Sequence, residues 1–159
     1  MLEEGFSFAT GLREFDTWQD YLRRVDRYQY GAEGPWGPAT FLIADVDGKV
    51  VGRSSIRFEM DPLLAHEGGH VGYGVIPSER RRGHATEILI QSLDIMFSAG
   101  VPRVLVTCSV DNEGSAKVIQ RCGGVLESVV TASDGKLVRR FWIEEQVASQ
   151  RNRWSGFSS

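Results

Sequence analysis

The sequence is short of most residues that would mark a specialised class. Two cysteines in 159 residues, Cys108 and Cys122, are too few for a disulfide framework or a cysteine-built zinc site. Each is expected as a small apolar residue in a reducing compartment. No apolar run approaches the roughly 18 residues that would suggest a membrane span. The opening "MLEEGFSFATG" brings acids where a signal peptide needs a basic start and an apolar stretch, so the expected location is the cytoplasm. Basic charge is short as well: 18 Lys and Arg against 21 Asp and Glu leave a net charge of -3. That excludes a broad nucleic-acid or anionic-membrane surface, so any bound anion must meet a local basic cluster. Internal repeats and linkers are also lacking. With 42% hydrophobic and 25% charged residues, the chain reads as one ordinary globular domain over residues 6–145. The tail 146–159 has no period and is expected to be mobile.

What is present alternates two periods. "FDTWQDYLRRVDRY" places Phe15, Trp18, Leu22 and Val25 at helical spacing behind Asp16 as N-cap, predicting a helix over 16–29 that "YGAEGPWGPA" breaks. "TFLIADVDGKVVGRSSIRFE" reads as two strands about an Asp47-Gly48 turn. "HVGYGVI" is strand-like and stops at Pro77. The next stretch carries Ala85, Ile88, Leu89, Ser92 and Met96 on one helical face, and Gly100 closes it. "RVLVTCSV" is an apolar strand, "EGSAKVIQRC" a short helix ended by Gly123-Gly124, and "VLESVVTASDGKLVRRFWIE" a hairpin around Asp134-Gly135. The order predicts an α/β domain with one mixed sheet.

Residues 66–70, "HEGGH", match the His-Glu-x-x-His pattern of helix-borne zinc hydrolases. Two adjacent glycines oppose a helix there, each costing about 0.8 to 1.0 kcal/mol against Ala. Val71, Tyr73 and Val75 alternate directly afterwards, and the remaining histidine, His84, lies beyond Pro77. The segment is expected as a loop running into a strand, with no metal; zinc hydrolysis is the less favoured alternative.

"PSERRRGHATEIL" carries a stronger signal. A strand ends, a turn holds Arg80, Arg81 and Arg82, and Gly83 to Thr86 open the long helix. Unpaired N–H groups at such a junction face outward at the positive end of the helix dipole, and Gly83 and Ala85 are small enough for an anion to approach closely. An arbitrary arginine triplet is a solvated turn; a Gly followed by a small residue at a helix start suits a diphosphate. The Walker and Rossmann glycine patterns are both missing.

Arg80-x-x-Gly83-x-Ala85 resembles the Gln/Arg-x-x-Gly-x-Gly/Ala motif of the GNAT superfamily of N-acetyltransferases, in which this turn cradles the diphosphate of acetyl-CoA. "CSVDNEGSAKVIQRCGG" is similar to that superfamily's next signature, and the element order fits over residues 6–145. The resemblance implies a GNAT-type mixed, mostly antiparallel central sheet, flanked by helices and splayed between the family's fourth and fifth strands, here 70–76 and 103–109. Acetyl-CoA would be the cosubstrate, its pantetheine arm pairing with backbone near Val75. Arg80, Arg81, Arg82, Gly83, His84, Ala85 and Thr86 would hold the diphosphate. Asn112 would bond pantetheine, and Ser115 or Lys117 would reach further phosphate or adenosine groups. Asp111-Asn112 before a helix is equally an ordinary cap.

The implied chemistry is direct aminolysis of a thioester. A base must take the amine's proton, a donor must meet the oxyanion, and a thiolate must leave. His70 is one candidate base, with Glu67 and Tyr73 as alternatives; His70 is equally readable as a strand-end histidine tied to backbone. Many superfamily members carry a Tyr seven residues after the Asn as general acid, a position that is Ile119 here. Another donor such as Tyr73 or water, or a CoA-binding sensor without turnover, would account for that departure. The partner is expected to be a small-molecule or protein amine, with no nucleic acid or membrane, and a homodimer is compatible. Glu33, Glu59, Asp61 and Glu67 are acids on the expected acceptor side that would favour an ammonium group.

Overall fold

The computed structural model describes residues 17–29 and 39–145. Helix α1 spans Trp18–Gln29, and Thr17 caps it by accepting the Asp20 N–H at 3.1 Å. The expected cap Asp16, together with Phe15, Glu33 and the tail 146–159, lies outside the described residues. Strands β1 (Ala39–Val46) and β2 (Lys49–Arg57) form the expected hairpin. Asp47 and Gly48 turn it with φ of 52° and 78°, the primed geometry that matches strand twist.

Strand β3 (Val71–Val75), helix α2 (His84–Ser98), strand β4 (Arg103–Ser109), helix α3 (Glu113–Arg121), and strands β5 (Val125–Thr131) and β6 (Leu137–Glu144) follow. The sheet order is β1-β2-β3-β4-β6-β5, with every neighbouring pair antiparallel except β3 and β4. This is the mixed, mostly antiparallel sheet the sequence implies. Among the described residues no helix is long and apolar enough to cross a membrane.

One face of the sheet builds the core. α2 buries Ile88, Leu89, Ser92, Leu93 and Met96, which meet Ile56, Val71, Val104, Val106, Phe141 and Ile143; Ala116 and Ile119 of α3 join them. Leu93 was not among the expected core positions, and Ala85 is only partly buried. Ser92 is tolerated there because its Oγ donates to Ile88 O at 2.7 Å and meets Ser54 Oγ at 2.8 Å. By strand alternation Arg53, Ser55, Arg57, Gly72, Gly74, Leu105, Thr107 and Trp142 belong to the opposite face.

Segment 59–69 departs from the loop expected of it. Leu64–Gly68 forms a wide helical turn in which Gly69 N–H donates to Leu64 O at 2.7 Å. Asp61 Oδ1 accepts the Leu64 N–H at 2.8 Å and starts the turn, while the Leu64 side chain is buried beneath it. The turn ends before His70.

β3 and β4 meet at one register pair, Val71 with Val106, and then part. The seam before that pair is firm: His70 N–H donates to Leu105 O at 2.8 Å, and an isolated bridge joins Gly69 to Val106. Beyond it, Ile76 N–H reaches Val51 O, and Gly74 and Gly72 pair with Arg53 and Ser55, so the backbone of positions 72, 74 and 76 faces β2. The backbone of Tyr73 and Val75 therefore turns to the edge that β4 has left.

Candidate active site

The turn between β3 and α2 is built to leave amides open. Pro77–Glu79 makes a single tight helical turn, Arg80 N–H closes on Pro77 O at 3.3 Å, and Arg81 and Gly83 then take left-handed φ of 65° and 85°. Thr86 and Glu87 N–H both return to Gly83 O, at 3.0 and 3.2 Å. The amides from Arg81 to Ala85 have no acceptor among the described residues. Successive free N–H groups thus line a left-handed turn at the positive end of the 15-residue α2, an arrangement of the kind that suits an anion. At the two ends of the stretch 80–86, the amides of Arg80 and Thr86 are engaged within the protein.

The arginines divide their work. Arg80 Nε donates to Val75 O at 3.2 Å, fixing the turn to the end of β3. Arg82 pairs with Glu79 at 3.3 Å, and Lys49 also bonds that carboxylate. Glu79 is 4% exposed, and its bond to Lys49 is the main reason its pKa lies below the usual carboxylate range. Arg81 has no ion-pair partner among the described residues. Glu79 was missed by the sequence reading; its i,i+3 spacing to Arg82 was the available signal.

Asn112 is the N-cap of α3, its Oδ1 accepting Ser115 N–H at 3.0 Å, so the cap is observed. Lys117 is exposed on the same helix. Ser115 Oγ lies 2.8 Å from the Tyr73 hydroxyl, a contact that spans from β3 to α3 across the parted strands. Burial, chiefly, pushes the Tyr73 phenol up to about 12, so it keeps its proton at neutral pH. Ile119, where many superfamily members carry a tyrosine, is fully buried in the core.

The two histidines of "HEGGH" point to separate partners. His66 Nε2 lies 3.0 Å from Thr131 O, whereas His70 is 6% exposed and its Nδ1 accepts Leu105 N–H at 2.8 Å. Trp142 packs edge-on to the His70 ring at 6.3 Å. Among the described residues no three His, Cys, Asp or Glu side chains gather as a metal site. Of the two roles left open for His70, the backbone tie is observed, and it puts the neutral ring's proton on Nε2. Glu67 is turned to the β5–β6 turn, taking Ser133 N–H at 2.5 Å and Ser133 Oγ at 2.7 Å. The structure therefore brings Tyr73, Ser115 and the open amides to the parted strands, and places Glu67 elsewhere.

Burial is the main cause of a His70 pKa below its ordinary 6.5. In the pH range below about 6.5 the unfolded chain then binds a proton that the folded chain refuses, so stability is full above that value and declines as pH falls toward the folded pKa. His70→Gln is expected to lose about 1 to 3 kcal/mol at pH 7, since Leu105 N–H loses its imidazole acceptor. The same variant should show a flatter stability profile between pH 7 and 5 in urea titrations. An unaltered profile would mean that His70 is not the titrating group.

A family model described as the acetyltransferase (GNAT) family matches residues 9–124, more than half of the chain. The chain belongs to that family. It is accordingly an acetyl-CoA-dependent N-acetyltransferase by membership, and its fold agrees. The aminoglycoside acetyltransferase AAC(6')-Ib in complex with coenzyme A is 16% identical, with a TM-score of 0.60 over 72% of this chain and 70% of that one. A complex of the same enzyme with coenzyme A and kanamycin gives 17% and 0.58, over 72% and 71%. A chimera of spermidine N-acetyltransferase SpeG from Vibrio cholerae and hSSAT is 15% identical, with a TM-score of 0.62 over 90% of each chain. No curated protein matches the sequence. At these identities the solved structures speak for the GNAT fold alone.

Proposed function

We propose that this acetyltransferase holds acetyl-CoA along the edge of β3 that β4 vacates, with its diphosphate on the amides of Arg81 to Ala85. The observation that carries this placement is the run of open N–H groups on a left-handed turn, directly beside an unpaired strand edge. Arg81 supplies unpaired charge to the diphosphate, and Arg80, Arg82 and His84 frame it. Pantetheine lies against the backbone of Tyr73 and Val75, adding a partial strand to the gap, with Asn112, Ser115 and Lys117 along its other side. The thioester supplies the activated acetyl group.

The chain's own work is to position and to stabilise charge. A backbone N–H of β3 turned to the gap is placed to meet the oxyanion. The Tyr73 hydroxyl, protonated at neutral pH and in contact with Ser115 of α3, is the donor offered to the leaving group. A phenol near 12 does not surrender its proton to a thiolate whose acid has a pKa near 8.5, so Tyr73 assists the leaving group by hydrogen bonding. The thiolate departs as an anion and is protonated by water. The amine reaches the site as its free base, with its proton passing to solvent, and the acceptor is a small-molecule or protein amine.

Free-thiol release from acetyl-CoA across an amine panel tests the reading. Steady release with at least one amine is expected. Tyr73→Phe should lower kcat roughly tenfold to hundredfold at unchanged acetyl-CoA Kd. Tight CoA binding without release from any amine would instead favour a sensor, and kcat unchanged in Tyr73→Phe would reduce the hydroxyl to a packing contact with Ser115.

A further inference from the structure

The parallel ladder between β3 and β4 is the single pair Val71 and Val106, both buried in the core. Two residues further along each strand stand Tyr73 and Cys108, which by strand alternation share that core face and would have been neighbours had the pairing run on. The strands part instead, and a residue of α3 links the two side chains. Ser115 Oγ lies 2.8 Å from the Tyr73 hydroxyl and also hydrogen-bonds the Cys108 thiol. Asn112 fixes Ser115 there by accepting its N–H at 3.0 Å. A thiol, a hydroxyl and a phenol thus run from β4 through α3 to β3, just past the pair at which the gap closes.

The order of donors along this chain follows from what each group accepts. Burial is the chief cause of the raised Cys108 pKa, so the thiol stays protonated at neutral pH, as the Tyr73 phenol does at about 12. Ser115 has one hydroxyl proton to give, and a phenol oxygen is a better acceptor than a thiol sulfur. The serine proton therefore goes to Tyr73, and the thiol proton goes to Ser115. A bond from Ser115 works to lower the Tyr73 pKa against the larger effect of burial, as donation to the phenol oxygen should. In that order the Tyr73 proton is left over. Ser115 O, its other acceptor among the described residues, stands at 3.4 Å, too long to hold it firmly.

We infer that Ser115 and Cys108 are positioning residues, and that the chain from Cys108 through Ser115 to Tyr73 aims the Tyr73 proton at the sulfur leaving acetyl-CoA. The inference rests on the acetyl-transfer reading above and adds what orients its donor. A pantetheine arm laid from the open amides along Val75 and Tyr73 brings the thioester toward the closed end of the gap, where this chain stands. The amine nitrogen forms its bond to the acetyl carbon, the C–S bond breaks, and its electron pair goes to sulfur. As that charge grows, Tyr73 donates to the sulfur, Ser115 to Tyr73 and Cys108 to Ser115, each bond strengthening the next. No proton passes along the chain, and the thiolate departs as an anion.

The test uses the full-length protein, acetyl-CoA and an amine that supports steady thiol release. Ser115→Ala is expected to lower kcat roughly threefold to tenfold, and to cost nothing further once Tyr73→Phe is in place. Ser115→Thr keeps the hydroxyl and should hold kcat within about twofold of the native value. Cys108→Ala should lower kcat by a smaller factor, roughly twofold to fourfold, whereas Cys108→Ser keeps a donor and should not. The Cζ resonance of Tyr73 in protein carrying isotope-labelled tyrosine, assigned through Tyr73→Phe, reads the hydrogen bonding without turnover. It should move in Ser115→Ala and Cys108→Ala, and lie near its native place in Ser115→Thr and Cys108→Ser. An equal Ser115→Ala loss in the Tyr73→Phe background would overturn the inference, as would a native kcat with only a weaker acetyl-CoA Kd, or a Tyr73 resonance that does not move. Thiol release absent with every amine would instead strike the acetyl-transfer reading, and this inference with it.

Discussion

Gly83→Glu is expected to abolish acetyl-CoA binding in a protein that still folds. Gly83 adopts φ of 85°, and a Cβ added there would meet no protein atom within 4 Å. The fold therefore loses only the backbone preference, about 1 to 2 kcal/mol for a non-glycine residue in the left-handed region. The cofactor loses far more. The new side chain would stand over the concave row of amides, and its carboxylate would repel the diphosphate where the local field is most positive. A rise in acetyl-CoA Kd of at least roughly a hundredfold is expected by calorimetry, with a melting temperature lowered by roughly 2 to 8 °C. Gly83→Ala should fall between the two. A Kd for Gly83→Glu within about threefold of the native value would show that the diphosphate sits elsewhere.

The second large effect is structural and belongs to the "HEGGH" stretch. Gly69 holds φ of 74° and ψ of 177°, a region essentially open only to glycine. An added Cβ would lie 2.7 Å from Leu105 O, the oxygen that accepts His70 N–H. Gly69→Ala must therefore break the seam between β3 and β4 just where the strands begin to part. A loss of about 3 to 5 kcal/mol, seen as a fall in melting temperature of roughly 6 to 15 °C, is expected. Gly68→Ala is the internal comparison, because its Cβ would press on Leu64 Cδ2 at 2.6 Å, the end of a side chain that can shift. Equal losses for the two alanines would mean that the seam is not what Gly69 serves.

How much of this was legible from the chain depends on how local each signal is. Both hairpins could be read because a turn such as Asp47-Gly48 declares itself in two residues, and α2 because its apolar positions recur at helical spacing over fifteen residues. The left-handed turn opening α2 was legible for the same reason: a strand end, a glycine and a helix start lie within one short stretch. The wide turn at Leu64–Gly68 was not, since it depends on Leu64 finding a buried place and on Asp61 capping the turn.

The sequence by itself determined the order of elements, the family motif, and the residues offered for proton handling. It could not rank them, because an imidazole, a carboxylate and a phenol differ in use only through what surrounds each. Tertiary structure decided that His70 accepts Leu105 N–H, that Glu67 holds Ser133, and that Tyr73 reaches Ser115 across the gap. These partners lie 35, 66 and 42 residues away along the chain. Contacts at such separations are fixed by strand register and packing, which no short stretch of sequence encodes.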